Sequence, residues 1–162
     1  MIHSFHISGL KTLKFRNQIF FFYLHAANVM LSPPADAINI KDFVTWMGND
    51  GICRTKVKKG ADIDLVSAIE NTKAVDSFYI GKHYPIIIDS SDIHSMSREA
   101  RKHFSTNGRV TSINSMAIIV SSPISKVIGN FFLGLNKPEV PARLFNNEKE
   151  ALVWLKEQNL IE

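Results

Sequence analysis

Two short runs of continuously apolar residues limit what this chain can become. Residues 84–89 read Tyr-Pro-Ile-Ile-Ile-Asp, and residues 115–120 read Ser-Met-Ala-Ile-Ile-Val. A strand with one wet face alternates apolar and polar side chains. A strand that is apolar at successive positions is covered on both faces. Between the runs lie helix start and stop signals. Ser97 is suited to cap a helix, Glu99 favours its first turn, Ala100 and Phe104 face inward, and Asn107-Gly108 ends it. A buried strand, a helix and a second buried strand make a β-α-β unit, whose strands run parallel through a right-handed crossover. Both runs then open at the same edge of the sheet.

The remaining elements arrange themselves around that unit. Residues 43–47 (Phe-Val-Thr-Trp-Met) read as a strand, residues 48–51 (Gly-Asn-Asp-Gly) as a turn, and residues 52–57 as the return strand of a hairpin. Asp62 or Asp64 caps a helix whose apolar positions are Leu65, Val66, Ile69, Val75 and Phe78, with Gly81 as its end. Ser122-Pro123 starts another, with Ile124, Val127, Ile128, Phe131 and Phe132 as its apolar side. Residues 140–145 read as an edge strand. Asn147 with Glu150 caps a last helix anchored by Ala151, Leu152, Trp154 and Leu155. The expected fold class is α/β: a mixed sheet of about five strands with about four helices, entered through an N-terminal β-hairpin.

Residues 1–37 have a different character. An apolar run at 19–24 (Ile-Phe-Phe-Phe-Tyr-Leu) precedes Ser-Pro-Pro at 32–34, which breaks any helix. The expected organisation is an N-terminal arm or extension over 1–37 and one α/β domain over 38–162. The 162 residues suit one such domain. Cys53 is the single cysteine, so an intramolecular disulfide and a cysteine zinc cage are excluded. No run approaches the ~20 apolar residues of a membrane span, and the expected location is the cytoplasm. The net charge of +4 is spread: residues 1–37 carry Lys11, Lys14 and Arg16 against Asp36, and the rest carries a similar small surplus. The densest basic cluster is Arg54, Lys56, Lys58 and Lys59. Nucleic-acid binders concentrate charge on one face, so a nucleic-acid partner is not expected.

From Ile63 to Leu155 the element order and several local strings resemble the STAS-like domain family. These are residues 84–89, Ser-Met-Ser-Arg-Glu-Ala-Arg at 95–101, Ala-Ile-Ile-Val-Ser-Ser-Pro-Ile-Ser at 117–125, Val-Ile-Gly-Asn-Phe-Phe-Leu-Gly-Leu-Asn-Lys-Pro at 127–138, Arg143-Leu-Phe, and Ala-Leu-Val-Trp-Leu at 151–155. The resemblance is nearest to a branch of small bacterial stand-alone STAS-like proteins of unknown function. It implies a STAS-like fold like that of anti-sigma-factor antagonists, and a regulatory or binding module acting by protein contact. In partner-switching antagonists a serine starting the helix after the central strand is phosphorylated. Here the corresponding stretch is Ser97-Arg98-Glu99-Ala100, with Arg98 in the serine's place. No phosphorylated residue is therefore carried over.

The strand exits supply the candidate ligand or partner site. Asp89, Ser90, Ser91, Ser95, Ser97 and Arg98 follow the first run, and Ser121, Ser122, Ser125 and Lys126 follow the second. Parallel sheets place ligands at this carboxyl edge, and helix N-termini favour anions, so a phosphate or carboxylate group is the expected small ligand. Asp89, Asp92 and His94 contain metal-ligand types, but their spacing is not diagnostic; no metal and no cofactor is expected. No Gly-x-Ser-x-Gly elbow, Walker string or Rossmann fingerprint occurs. Cys53 reads as a core residue and no catalytic residue is assigned. Phe131, Phe132, Leu133 and Leu135 cannot all face one core from one helix. Asn130, Phe131, Phe132, Leu133 and Lys137 are accordingly the interface candidates, with a homodimer as the expected assembly. Two alternatives stand beside the binding module: a carrier of a lipid or other apolar ligand, and a cryptic enzyme.

Overall fold

A computed structural model describes residues 32–107, 110–135 and 139–159, with side chains of 106, 107, 131, 132, 135 and 159 left aside. The chain divides after Pro33 into two compact units. The second, Pro34–Glu162, holds every strand and helix of the described residues; residues 1–31 of the expected arm lie outside them. The strands are β1 (Ile38–Asn39), β2 (Phe43–Met47), β3 (Cys53–Val57), β4 (Asp62–Ile63), β5 (Tyr84–Asp89), β6 (Ser95–Met96), β7 (Ile113–Ile119) and β8 (Ala142–Phe145). The helices are α1 (Leu65–Asp76), α2 (Arg98–Lys102), which runs on into a π-helical turn (His103–Asn107), α3 (Pro123–Leu135) and α4 (Glu148–Asn159).

The main sheet has six strands in the order β1-β2-β3-β5-β7-β8. The hairpin pairs antiparallel from Phe43 opposite Val57 to Met47 opposite Cys53, as its turn residues led us to expect. β3, β5, β7 and β8 are parallel. The central expectation holds: β5 and β7 are parallel neighbours, with Asp89 opposite Ile119 at their shared exit. The sixth strand is β1, whose two residues pair with Val44 and Thr45. It is too short to be legible as a strand in the sequence.

The helices are divided between the two faces. Residues Ala68 of α1, Ala100 of α2 and Ile128 of α3 belong to one core cluster with Phe43 and Val57. Ala151 and Leu155 of α4 pack against Ile87, Ala117, Ile119 and Phe145 from the other side. Successive crossovers moving the same way along a sheet with one hand land on one face. α1, α2 and α3 are such crossovers, while α4 follows the last strand and turns to the opposite face. Both faces of β5 are thus covered, as its unbroken apolar run requires. A bulge between Tyr84 and Pro85 skips Asn114 in the pairing with β7. The extra residue reverses the alternation, so Ile113 and Met116 share the α1 face although they are three residues apart.

Two helices present different faces to the core from those their apolar residues suggest. The side chain of Asp64, not Asp62, caps α1, accepting from the Ser67 N–H at 2.8 Å. The helix then buries Ser67, Ala68, Asn71, Ala74 and Val75, while Leu65 and Val66 are 40% and 63% exposed. It ends at Asp76, before Gly81. Polar residues can face the core here because each meets a partner. Ser67 Oγ donates to Asp42, and Asn71 Nδ2 donates to Thr55 Oγ1 at 2.6 Å and Thr45 Oγ1 at 3.2 Å. Such partners sit on other strands, so local periodicity does not reveal them. In α3, Ser125 is fully buried and Gly129 is buried, whereas Ile124 and Val127 are 45% and 69% exposed. A Cβ on Gly129 would lie 3.0 Å from Val120 Cγ1 and 3.1 Å from Leu144 Cδ2. The helix packs by close backbone approach to the sheet, and its large aliphatics turn outward.

The basic cluster of the hairpin also resolves differently. Arg54 is 3% exposed. Its Nη2 and Nη1 meet Asp50 Oδ2 and Oδ1 at 2.8 and 3.0 Å, and its Nε meets Glu148 Oε1 at 3.0 Å. Lys56 pairs with Asp89 at 3.7 Å, and Lys58 Nζ donates to the Ile40 carbonyl at 2.5 Å. These cations are structural ties rather than a basic surface. Cys53 is fully buried, and burial pushes its thiol up to about 12 against the opposing charge of Arg54.

Candidate functional site: the carboxyl edge of the parallel strands

Three strand exits are tied together. Ser90 sends both its N–H (3.1 Å) and its Oγ (2.8 Å) to the Ile119 carbonyl, joining the end of β5 to that of β7. Gly60, leaving β3, donates to the Asp92 carbonyl at 2.9 Å. β4 and β6 form a two-stranded parallel patch in which Asp62 lies opposite Ser95, and Ser97 donates to the Ile63 carbonyl. The starts of α1, α2 and α3 are therefore gathered at one edge, on one face of the sheet.

The predicted serines are present at that edge, and most have structural work. Ser97 Oγ accepts from the Ala100 N–H at 3.1 Å and caps α2. Ser122 and Ser125 cap each other: Ser122 Oγ accepts from the Ser125 N–H at 3.1 Å, and Ser125 Oγ accepts from the Ser122 N–H at 3.0 Å. Reciprocal bonding of this kind satisfies two donors at a helix start. The Ser91 N–H donates to Asp89 Oδ1 at 3.0 Å. Ser95 Oγ donates to Asp62 Oδ1 at 2.5 Å, and the same oxygen meets His94 Nδ1 at 2.7 Å. Ser121, Arg98, Lys126 and Asn130 are exposed, and Leu133 is half-buried. The side chains of Phe131 and Phe132, and Lys137 as a whole, lie outside the described residues.

Charge at the edge is arranged in local pairs. The Ser95 hydroxyl, with His94 beside it, holds the Asp62 carboxyl below its usual value. The Ser67 N–H, with Lys41 at 3.1 Å, holds Asp64 at about 2. The hydrogen bond to Asp64 in turn raises Lys41. His94 pairs with Asp62 and not with Asp89 or Asp92, so that carboxylate–imidazole set is not assembled. Among the described residues no three His, Cys, Asp or Glu side chains are grouped to hold a metal ion.

The features missed in the sequence are apolar. Leu65 and Val66 in the first turn of α1, and Ile124 and Val127 at the start of α3, stand exposed at the edge where the serines were sought. Nothing local marks them as outward, because apolar residues ordinarily predict an inward face.

The family model of a domain of unknown function, DUF7793, matches residues 45–159. The chain is similar to the crystal structure of an uncharacterized protein from the DUF3478 family, with a SpoIIAA-like fold, from Shewanella loihica PV-4. The identity is 16%, over 73% of this chain and 97% of that one, with a TM-score of 0.56. A crystal structure of a protein with unknown function from Arthrobacter sp. fb24 is 28% identical over 68% of this chain and 90% of that one; its TM-score of 0.28 carries no structural argument. No curated protein matches. The similarity to the Shewanella protein shows the fold: the described domain is a mixed α/β, SpoIIAA-like, STAS-like module. Among the described residues no helix is long and apolar enough to cross a membrane.

Proposed function

The chain belongs to the DUF7793 family of domains of unknown function, and from that premise we propose that it is a non-catalytic binding module acting by protein–protein contact through its carboxyl edge. One observation carries this reading: Leu65, Val66, Ile124 and Val127 are exposed on two helices that begin at the same edge and share a core cluster with α2. A folded domain exposes scattered apolar residues at little cost, but aliphatics gathered around one edge mark a contact surface. Most hydroxyls of that edge are engaged in caps, strand ties or the bond to Asp62, which favours a surface read by shape over a cradle for a small anion. Arg98 and Lys126 are the exposed cations that a small anionic ligand would meet as a tuning molecule.

A homodimer is the simplest form of such contact and is included in the reading, with Asn130 and Leu133 beside the patch. The test is photo-crosslinking of the full chain in its own host from position 127, with position 80 as the control, because Ile80 is 91% exposed on the loop entering β5. A discrete adduct, self or foreign, from position 127 and absent from position 80 is expected. Adducts that are equal at both positions, or none from 127, overturn the proposal. Native mass spectrometry of the same material then assigns the adduct as a second copy or another protein.

A further inference from the structure

The hairpin turn between β2 and β3 carries chemistry of its own. Asp50–Gly51 is the chain's one Asp-Gly pair. Glycine brings no side chain to shield its amide nitrogen, so that nitrogen can attack the side-chain carbon of the preceding aspartate. A nitrogen–carbon bond forms, the carboxyl hydroxyl leaves, and the amide proton departs with it as water. The succinimide ring then takes up water at either carbonyl. One opening restores aspartate; the other leaves isoaspartate, whose main chain runs through the former side chain. Water is the only co-reactant.

Both reacting groups are held in the folded chain. The Gly51 N–H is turned to the Gly48 carbonyl at 2.9 Å, with φ of 75° at Gly51. The Asp50 carboxylate accepts from Arg54 Nη1 at 3.0 Å and Nη2 at 2.8 Å. It also accepts from the Ile52 N–H at 3.2 Å, reaching past the amide that would attack it. Arg54 is itself fixed by Glu148 at 3.0 Å and is almost fully buried. Gly48 leaves the room this lock needs: a Cβ there would stand 2.3 Å from Arg54 Nη1 and 2.4 Å from Asp50 Oδ1. Charge acts in the same direction as geometry. Burial opposes ionisation of Asp50, but the bonds and charge of Arg54 hold its carboxyl below the usual value. An ionised carboxylate has no hydroxyl to lose.

We propose that Asp50–Gly51 is a latent isoaspartate site, held closed by Arg54. In the native turn the ring closes only after the Arg54–Asp50 contact has opened. Isoaspartate adds a methylene to the main chain and sets its carboxylate directly on the α carbon, which draws that carboxylate back from the guanidinium. Each event therefore removes from Arg54 the partner that kept the site closed.

The test follows isoaspartate at position 50 in the full chain stored at neutral pH, by chromatographic peptide mapping with electron-transfer fragmentation to separate the isomers. The folded chain is expected to form it at least about tenfold more slowly than the same chain unfolded in urea, because closure waits on local opening of the turn. Arg54→Met removes the donors and is expected to bring the folded rate close to the unfolded one. Gly48→Ala keeps the guanidinium but crowds it, and decides the matter if Arg54→Met does not fold. Ile63→Ala is the control: Ile63 is buried in the core cluster of Phe43 and Val57, outside the turn. It lowers the urea midpoint without touching the lock and is expected to keep the slow rate. A native rate equal to the unfolded one overturns the proposal, as does a folded Arg54→Met no faster than the native chain. An Ile63→Ala chain as fast as Arg54→Met overturns it too, because global unfolding then governs the reaction.

Discussion

Arg54 is the residue whose removal most directly tests how the two faces of this domain are held. Its guanidinium is almost fully enclosed, donating to both Asp50 oxygens, to Glu148 Oε1 and, at 3.1 Å, to the Ile52 carbonyl. Glu148 opens α4, so one side chain joins the hairpin turn to the helix that covers the opposite end of the sheet. Arg54→Met keeps much of the volume and removes every donor. Breaking a buried ion pair from one side costs about 3–5 kcal/mol, because the remaining charges stay desolvated. The Asp50 and Glu148 side chains keep 21% and 17% exposure. Water reaches them in part, which places the expected cost near ~3 kcal/mol.

Neutralising the abandoned carboxylates reverses most of that loss. The triple variant Arg54→Met/Asp50→Asn/Glu148→Gln is expected within roughly 1–2 kcal/mol of the native chain. The assay is urea unfolding, comparing midpoints at unchanged slope. Acid supplies a second readout. Burial opposes ionisation of Asp50, but the bonds and charge of Arg54 outweigh it and its carboxyl lies below 3.8. That stability is present above the unfolded value and is lost as pH falls through the folded one. In Arg54→Met the burial of Asp50 is opposed only by backbone N–H bonds, that of Ile52 among them, so the penalty shrinks on acidification toward pH 3.8. A single variant that costs less than about 1 kcal/mol, or a triple variant no more stable than the single, refutes the reasoning.

Other outcomes follow from the same structure. Gly129→Ala is expected to destabilise by about 1–2 kcal/mol, since crowding against Val120 and Leu144 exceeds the ~1 kcal/mol gain in helix propensity; pairing it with Leu144→Val recovers stability if the close approach is the cause. Burial lowers His103 below 6.5, where its Nε2 lies 3.0 Å from Thr72 Oγ1. The unfolded chain then binds the proton more readily, so the urea midpoint falls as pH drops through 6.5 toward the folded value, and His103→Gln flattens that fall. Cys53 is buried with its thiol pushed up to about 12. Its reaction with a thiol reagent is expected to track global unfolding in urea, and rapid labelling of the native chain contradicts its placement.

What sequence alone determines here is the part of the fold written in short-range chemistry. Three continuous isoleucines in β5 require cover on both faces. The Gly-Asn-Asp-Gly turn joins a hairpin, and Ser97, Ser122 and Asn147 mark helix starts because capping is a local bond. The parallel placement of β5 and β7, and with it the shared edge, follows from the crossover rule. The tertiary structure alone decided which side chains that edge offers. Ser67 and Asn71 turn inward because Asp42, Thr45 and Thr55 wait on distant strands, and Ile124 and Val127 turn outward because Gly129 lets α3 approach Leu144. Arg54, the most basic-looking feature of the hairpin, is enclosed because Glu148 lies 94 positions further along the chain. Such pairings depend on groups far apart in sequence meeting after folding, and no local period records them.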